Sequence, residues 1–267
     1  MLRRVLRGSL IVGLSCGFVA CGDDSPVAPE PTLLRVSTTV SVVDAVGRPQ
    51  SDAIVELRTG PDAGATMTTD AEGEAFISTL VPAALGLTIR VSKPGFKTAE
   101  ATRWVPGGTR IEDMWVSLES VNALNLAGEH LLTIEASPAC TQLPQVARRR
   151  VYEATAVSTT NVSTFDIRLS GALFVNGTRN DLAVSVTADA AKFWVGNGDL
   201  FVEQLSPSSF LMFGGDATVE ASQEARVLSG PMNGLISYCS ASLNDFICTV
   251  PPVDCTSESH RLIFSRR

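Results

Sequence analysis

Short runs of alternating apolar and polar residues constrain the fold of this 267-residue chain more than any other feature. Residues 36–43, Val-Ser-Thr-Thr-Val-Ser-Val-Val, are representative, and turns rich in Gly, Pro, Asn and Asp interrupt such runs. Successive side chains of a β-strand point to opposite faces, which produces this alternation. No stretch keeps the 3.6-residue period of an amphipathic helix. The sequence therefore predicts an all-β protein.

The first twenty residues have the layout of a secretory signal peptide. Arg3, Arg4 and Arg7 form a basic start, residues 10–19 are mostly apolar, and Ala20 stands immediately before Cys21. This order of basic, apolar and small residues is typical of an export signal. The apolar run is about ten residues long, whereas a transmembrane helix needs roughly 20. We therefore expect residues 1–20 to be removed on export.

The residues at the expected cleavage point indicate lipidation. Phe18-Val19-Ala20-Cys21 resembles the bacterial lipobox, in which a signal peptidase cuts before an acylated cysteine, although that family usually has Leu where this chain has Phe18. The resemblance implies a lipid on Cys21 that anchors the mature chain to a membrane. Cys16 is a second candidate, with a shorter apolar core before it. An ordinary secreted protein is the remaining alternative.

Residues 21–33 are predicted to be a lipidated spacer. Residues 22–31 hold three prolines and three acidic residues, a composition that favours an extended, solvated segment. Gly22, rather than Asp, follows the cysteine, so the best-known signal for retention in the inner membrane is absent. This favours the outer membrane or the cell surface.

The net charge limits the classes of partner that the protein can bind. Removing residues 1–20 discards three of the 21 basic residues and none of the 28 acidic ones, so the mature chain carries 18 − 28 = −10. Nucleic-acid binding depends on basic residues that neutralise phosphates, and it is therefore excluded. We interpret Arg148, Arg149 and Arg150 as a charged strand entrance rather than an anion site. No cofactor is expected, and the possible partners are the membrane, another protein or a small apolar ligand.

Residues 34–119 contain several turn and strand motifs. They are Asp44, Gly47, Arg48 and Pro49, the run 53–57, Thr69, Asp70, Gly73 and Phe76, and Val91, Gly95 and Phe96. With these motifs the segment resembles the carboxypeptidase regulatory-like domains, which are transthyretin-like β-sandwiches of about seven strands that act as spacers, stabilising modules or interaction surfaces without catalysis. The resemblance implies a non-catalytic sandwich, followed by a linker over 120–127.

Residues 128–267 contain further strand candidates at regular spacing. They are 128–136, 151–158, 163–170, 182–187, 200–205, 209–214, 217–221, 225–237 and 260–265. About eight antiparallel strands imply a closed barrel or a sandwich. Gly128-x-His130 resembles the Gly-x-Trp opening of lipocalins, and the terminal Arg266 and Arg267 resemble the arginine that closes over that tryptophan.

A longer pattern runs through the same segment and includes Gly128, 132–134, Ala136, Ser137, Cys140, Leu143, Pro144, Arg150, Tyr152, Ala154, Cys255 and 260–262. In this pattern the segment is similar to an uncharacterised β-domain common at the C-terminus of lipoproteins of the acidobacterial and gemmatimonad type. That family has no established chemistry. The two resemblances together favour a lipocalin-like barrel.

The cysteines predict two disulfides in the second domain. None lies between 22 and 139, whereas Cys140, Cys239, Cys248 and Cys255 follow. An even number in an exported segment is typical of disulfides, and three pairings are possible. If the first and last strands of a barrel are neighbours, Cys140 can reach Cys255 and Cys239 can pair with Cys248. Pairing Cys140 with Cys248 is the main alternative.

Few residues point to catalysis. Gly13-x-Ser15-x-Gly17 matches a nucleophile elbow but lies in the leader. His130 and His260 are the only histidines, and as a zinc pair they would need a third ligand such as Glu258 or Glu129. We interpret them as polar strand residues and assign no catalytic residue, no metal site and no ligand-binding residue.

The predicted function is that of a membrane-tethered, non-catalytic surface or periplasmic lipoprotein that acts as a binding module. A lipocalin-like carrier of a small apolar ligand is the alternative, because inward positions rich in Ala, Val and Leu would leave room inside a barrel. A hydrolase is the third candidate, and it would need the histidines and carboxylates to cluster.

Overall fold

A computed structural model describes residues 32–83, 85–104, 112–175, 180–196, 199–221, 224, 226–240, 243–244 and 247–267. Their regular structure consists of eighteen strands and one helix of four residues. The predicted all-β fold, with a two-sheet β-sandwich followed by an antiparallel barrel, is confirmed. Cys21, the leader and the spacer as far as residue 31 lie outside the described residues.

The sandwich is built from seven strands in two sheets. These are β1 (Leu33–Asp44), β2 (Ile54–Leu57), β3 (Thr66–Thr68), β4 (Glu74–Pro82), β5 (Leu87–Ser92), β6 (Ala99–Arg103) and β7 (Met114–Leu118). One sheet has the order β4-β1-β7 and the other β3-β2-β5-β6. Alternate apolar side chains of both sheets, among them Val40, Ile77 and Ile89, are buried between them.

One aromatic residue of the segment that resembles the regulatory-like domains lies outside this core. Phe76 is on the outer face of β4, with 68% of its surface exposed, while its neighbours Ala75 and Ile77 point inward. Trp115 is exposed on the outer face of β7, which pairs with the other edge of β1. The alternation of β4 therefore places a large aromatic ring in solvent.

The two ends of the sandwich have different neighbours. At one end, which we call the N-terminal end, Leu33 pairs with Pro82, and the start of β5 pairs with the end of β6. At the opposite end, β1 runs into the turn 44–49, and Ser120, just beyond β7, pairs with Phe96. The chain leaves this second end toward the barrel. The sandwich thus separates residue 32 from the second domain.

The second domain contains the remaining elements. They are β8 (Gly128–Glu135), α1 (Gln145–Arg148), β9 (Arg149–Ser158), β10 (Thr164–Ser170), β11 (Asp181–Val186), β12 (Ala190–Val195), β13 (Phe201–Ser206), β14 (Ser209–Glu220), β15 (Val227–Cys239), β16 (Leu243–Asn244), β17 (Ile247–Cys248) and β18 (Val253–Arg266). Eight of them close an antiparallel barrel in the order β8-β9-β10-β11-β12-β14-β15-β18, and β18 pairs with β8. We call the rim where β8 begins the linker rim and the rim where β8 ends the cap rim.

Closure depends on a change of partner along β14. Its first half pairs with β13, and its second half, from Gly215 onward, pairs with β12. Gly215 has φ +153°, and a Cβ there would lie 2.1 Å from the carbonyl oxygen of Asn233. Only glycine permits this approach of β15 to the bend. The prediction of separate strands over 209–214 and 217–221 was wrong because Gly214-Gly215 bends a single strand instead of turning the chain.

Two further strands differ from the prediction. β12 was not predicted, and β18 begins at Val253 rather than at His260. Residues 255–259 of β18 carry mostly Ser, Thr and Glu, whose side chains face solvent, so the apolar alternation there is weak. Their pairing with β15 is a tertiary interaction.

Both disulfides lie at the cap rim of the barrel. Cys140, in the connection between β8 and α1, is bonded to Cys255 on β18, and Cys239 at the end of β15 is bonded to Cys248. This is the pairing that strand closure suggested, and the alternative pair Cys140–Cys248 does not form. The adjacency of the first and last strands brings the first pair together across 115 residues.

The two disulfides should contribute unequally to stability. In the chain-entropy account, a loop of separation 115 is worth about 5 kcal/mol and one of separation 9 about 3 kcal/mol. We expect the Cys140→Ala/Cys255→Ala variant to lose about 2 kcal/mol more than Cys239→Ala/Cys248→Ala. Urea unfolding of the two double variants measures the difference. Equal losses, or a larger loss for the short loop, would contradict this expectation.

Candidate functional site

The two histidines lie inside the barrel but do not meet. The register of β8 and β18 places His130 opposite Arg266, six residues along β18 from His260. At about 3.3 Å per strand residue, the two imidazoles are roughly 20 Å apart. The structure therefore does not bring together the pair that a zinc site or a histidine-dependent hydrolase would have used, because adjacent strands do not imply adjacent positions along them.

His260 is fully buried, and both of its ring nitrogens are occupied. Its Nδ1 accepts a hydrogen bond of 3.0 Å from the backbone N–H of Ser137, so its Nε2 carries the proton and donates to the carbonyl of Cys255 at 3.2 Å. Burial lowers the pKa of His260. The side chain ties the connection after β8 to β18 as a neutral ring.

His130 is buried at the linker rim. Its Nε2 lies 2.8 Å from the carbonyl of Leu126, and its ring stacks on Phe264 with centroids 4.2 Å apart. Burial lowers its pKa, and the positive charge of Arg266 adds to this effect. Among the described residues its Nδ1 has no hydrogen-bond partner. His130 thus packs as a buried ring on Phe264, and Arg266 lies opposite it in the register of β8 and β18.

One cluster within the described residues consists of residue types that commonly bind metal ions. Ligand atoms of Cys140, Cys255 and His260 lie within 4.8 Å of one another. The two sulfur atoms are joined in a disulfide, and His260 Nδ1 already accepts a hydrogen bond. Metal binding uses thiolates and a free ring nitrogen, so these residues do not fit a metal ion in the oxidised protein.

Five large aromatic side chains lie buried inside the barrel. Near the cap rim the ring of Phe213 stacks on Tyr152, with centroids 5.5 Å apart, and on Phe201, with centroids 5.2 Å apart. Phe193 and Phe264 pack 5.4 Å apart nearer the linker rim. All five rings are buried. The buried core is rich in Ala, Val and Leu, as expected, but it also contains these large rings, which lie scattered along strands separated in sequence.

A charged cluster closes the cap rim. β13 lies across this rim, and its Glu203, 2% exposed, accepts hydrogen bonds from the guanidinium of Arg150 and from the hydroxyl of Tyr152 at 2.9 Å. Phe174, in the connection after β10, forms a bridge to Glu203 and packs on Tyr152. Burial raises the pKa of Tyr152, as does the nearby carboxylate, which keeps the hydroxyl a donor. All the strong hydrogen-bonding groups of this cluster are used to hold β13 in place.

A second charged cluster joins the sandwich to the barrel. Asp44, buried at the end of β1, accepts hydrogen bonds from the backbone N–H groups of Val46 and Arg48 and from Arg48 Nε at 2.7 Å. The same guanidinium donates to Asp189 at 2.7 Å and 3.1 Å and to Thr187 at 3.2 Å, in the turn between β11 and β12. We call these four side chains, Asp44, Arg48, Thr187 and Asp189, the domain joint.

The domain joint fixes both charges. The hydrogen bond from Arg48 lowers the pKa of Asp189 to about 2, and the bond from Thr187 acts in the same direction. The hydrogen bond to Asp189 raises the pKa of Arg48. The linker is bonded to the same turn, since the N–H of Leu124 donates to the carbonyl of Thr187 at 2.9 Å. The β11–β12 turn is therefore held by the sandwich and by the linker.

A groove of about 390 Å³ lies beside the domain joint. We call it the joint groove, and its lining residues are Lys97, Val121, Ala123, Leu124, Asn125, Ser158, Thr159, Val162 and Phe165. Val121 and Val162 are more than half exposed. Lys97 supplies the one positive charge of the lining and is bonded to Glu119 at 3.0 Å. The groove combines apolar walls with a few polar atoms at its edges.

Sequence reasoning missed the partners in both charged clusters. Arg48 belonged to a predicted turn and Arg150 to a predicted strand entrance. Their carboxylate partners lie 141 and 53 residues away. The only sequence signal for these ion pairs was the arginine itself, because a guanidinium forms strong, often bidentate hydrogen bonds with a carboxylate.

Comparison with known proteins adds no family. No family model matches the chain, and no curated protein matches it. Among solved structures, a streptococcal ancillary pilin is similar over 72% of this chain and 60% of its own, with 12% identity and a TM-score of 0.24. The Bacillus anthracis TIE protein is similar over 85% and 48%, with 8% identity and a TM-score of 0.26.

Fervidolysin from Fervidobacterium pennivorans, a keratinolytic enzyme related to subtilisin, is similar over 89% of this chain and 31% of its own, with 14% identity and a TM-score of 0.23. This chain thus spans between about a third and three fifths of the lengths of these three proteins. Such low TM-scores carry no argument about family or function. The regulatory-like and lipobox resemblances remain predictions.

The structure also bears on membrane spanning. α1 has four residues, and no helix in the part of the chain that the structure describes is both long and apolar enough to cross a bilayer.

The buried histidines should make stability depend on pH. Their folded pKa values lie below the ordinary value of 6.5, so the unfolded chain binds more protons as the pH falls below 6.5. We expect the free energy of unfolding to be highest above pH 6.5 and to fall toward pH 5, by up to about 1.4 kcal/mol per pH unit for each histidine.

Urea unfolding at pH 7.5 and pH 5.5 tests this expectation. His130→Gln keeps a donor for the carbonyl of Leu126 and removes the titrating group, so it should lose less stability between the two pH values than the wild type. The carboxylates titrate in both proteins and cancel in the comparison. The same pH dependence in both would show that His130 is not the cause.

Proposed function

We propose that this chain is a membrane-tethered, non-catalytic binding module in which the sandwich acts as a stalk and the barrel as a head. One observation carries the proposal. The chain enters the sandwich at the N-terminal end and leaves it for the barrel at the opposite end. A lipid on Cys21 would then lie on one side of the sandwich and the barrel on the other.

The length of the stalk follows from its central strand. β1 has twelve residues, and at about 3.3 Å per residue it extends for roughly 40 Å. It pairs with β4 over nine residues and with β7 over five, so both edges of the strand are held. A paired strand of this length provides a stiff spacer.

The domain joint orients the head on the stalk. Arg48 is about 40% exposed and Asp189 more so, and an exposed ion pair adds little to stability. Asp44 is different, because it is buried and accepts the hydrogen bond from Arg48 Nε while two backbone N–H groups, of Val46 and Arg48, hold its other oxygen in place. The planar guanidinium has a fixed direction between two carboxylates. We assign the joint the role of setting orientation.

The interior of the barrel supports a binding module over a carrier. Carriers hold ligands in cavities of several hundred Å³. Here Tyr152, Phe193, Phe201, Phe213 and Phe264 are packed along the interior, and Glu203 fixes β13 across the cap rim. The side chains that bear chemistry inside the barrel, His130, His260 and Glu203, are engaged in hydrogen bonds with the protein itself. Because these side chains hydrogen-bond within the protein rather than facing a substrate, they support a non-catalytic role.

The disulfides support export. Such bonds form and persist in oxidising compartments outside the cytosol. Two of them staple the cap rim. The proposal places the protein on the outer membrane or the cell surface.

Metabolic labelling tests the anchor. We expect the full chain, expressed in a bacterium with an alkyne-modified palmitate, to acquire the label and to partition into detergent. Cys21→Ala should abolish both. Cys16→Ala is the matched control and should retain both, because Cys16 would be removed with the leader. Label that is lost with Cys16 and kept with Cys21 would overturn the assignment.

Native mass spectrometry of the same purified protein tests the filled interior. We expect the mass of the lipidated polypeptide alone. A second, stoichiometric lipid-sized mass that persists in Cys21→Ala would favour the carrier and contradict the proposal.

A further inference from the structure

The N-terminal end of the sandwich carries three exposed apolar side chains. Leu33 is 41% exposed, Leu85 59% and Trp104 59%. They belong to β1, to the turn between β4 and β5, and to the residue after β6. We call these three residues the apolar tip. Soluble domains scatter single apolar residues over their surface, but a group at one end is a different arrangement.

Backbone contacts bring the three residues to one place. Leu33 pairs with Pro82, and the N–H of Leu85 donates to the carbonyl of Pro82 at 3.0 Å. The next residue, Gly86, is so close to β6 that a Cβ on it would lie 3.2 Å from the Cα of Trp104. The three side chains therefore project from adjoining segments of the same end.

The apolar tip lies close along the chain to the proposed lipid anchor. The chain enters the sandwich at this end through Thr32, and eleven residues separate Cys21 from Leu33. At 3.3–3.6 Å per residue, the segment spans at most about 40 Å. A lipid on Cys21 would keep this end within that distance of the bilayer, while the domain joint holds the barrel at the other end. The tip is thus the first part of the described domains that the chain reaches from Cys21.

We propose that the apolar tip rests on the bilayer surface, with Trp104 at the level of the lipid headgroups and Leu33 and Leu85 against the acyl chains. Tryptophan favours the membrane–water boundary because its ring is apolar and its N–H is a donor. Tethering makes the contact intramolecular, so three side chains suffice where a free protein would dissociate. The inference rests on the proposed anchor at Cys21.

The charge of the protein indicates an apolar contact rather than an electrostatic one. The mature chain has a net charge of −10, which an anionic lipid surface would repel. Arg103 at this end is already bonded to Glu112 at 3.4 Å. We therefore expect the contact to form on zwitterionic vesicles and to be insensitive to salt.

Chemical tethering separates this inference from the anchor itself. The mature chain from Cys21 onward has one cysteine outside the two disulfides, so a maleimide lipid in phosphatidylcholine vesicles couples it at Cys21 whether or not cells lipidate it. Vesicles with and without bromine on the acyl chains report depth, because bromine quenches tryptophan emission on contact. Metabolic labelling tests the native anchor independently.

The three tryptophans provide the controls. We expect brominated vesicles to quench the tethered wild type and Trp115→Phe, and to leave Trp104→Phe unquenched. Trp115 is the matched control because it is also exposed on the sandwich, at 72%, but lies on the side of a sheet. A Leu33→Ser/Leu85→Ser variant keeps Trp104 as the reporter and should lose most of the quenching.

Two results would overturn the inference. Equal emission in brominated and plain vesicles for the wild type would show that the tip stands off the bilayer and serves another partner. Quenching that survives Trp104→Phe and disappears in Trp115→Phe would show that the sandwich lies on its side, with the face of Phe76 and Trp115 against the lipid.

Discussion

The change of partner along β14 is the interaction on which the rest of the barrel depends. Because Gly215 admits Asn233 so closely, the strand bends, leaves β13 and reaches β12. Closure then removes the free edges that a nine-stranded open sheet would expose. It also makes β18 a neighbour of β8. This brings Cys140 to Cys255 and lets the buried His260 of β18 accept a hydrogen bond from Ser137, just beyond β8. The half of β14 that remains with β13 forms the cap above Tyr152.

Two arginines connect these elements in the same physical way. Arg150 holds the cap strand through buried Glu203, and Arg48 holds the barrel to the sandwich through buried Asp44. In each case a carboxylate that is almost inaccessible to water binds a guanidinium that is partly exposed. Removing one partner of such a pair leaves a buried charge uncompensated and costs several kcal/mol. The first pair therefore holds β13 firmly across the cap rim, and the second sets the orientation of the barrel on the sandwich.

The sequence predicted what local patterns determine. Alternation predicted an all-β protein, and the family resemblances implied the sandwich and the barrel. The count of cysteines with strand closure favoured the observed disulfide pairs over Cys140–Cys248. It did not predict β12, where Ala190 and Ala191 are both buried and blur the alternation. It did not show that Phe76 faces solvent, that His130 and His260 are far apart, or that Arg48 reaches Asp189. Each of these depends on register or on contacts between distant residues, which periodicity does not encode. The lipid anchor on Cys21 remains a prediction.

The central claim is that the sandwich separates the tether from the barrel. Trp194 is the barrel's own tryptophan, so a Trp104→Phe/Trp115→Phe variant, coupled through Cys21 to vesicles with dansyl-labelled headgroups, reports the distance from the barrel to the lipid by energy transfer. With a stalk of roughly 40 Å, Trp194 emission should be unaffected by the dansyl lipid. Emission that falls in proportion to the dansyl fraction would place the barrel on the bilayer and contradict the account.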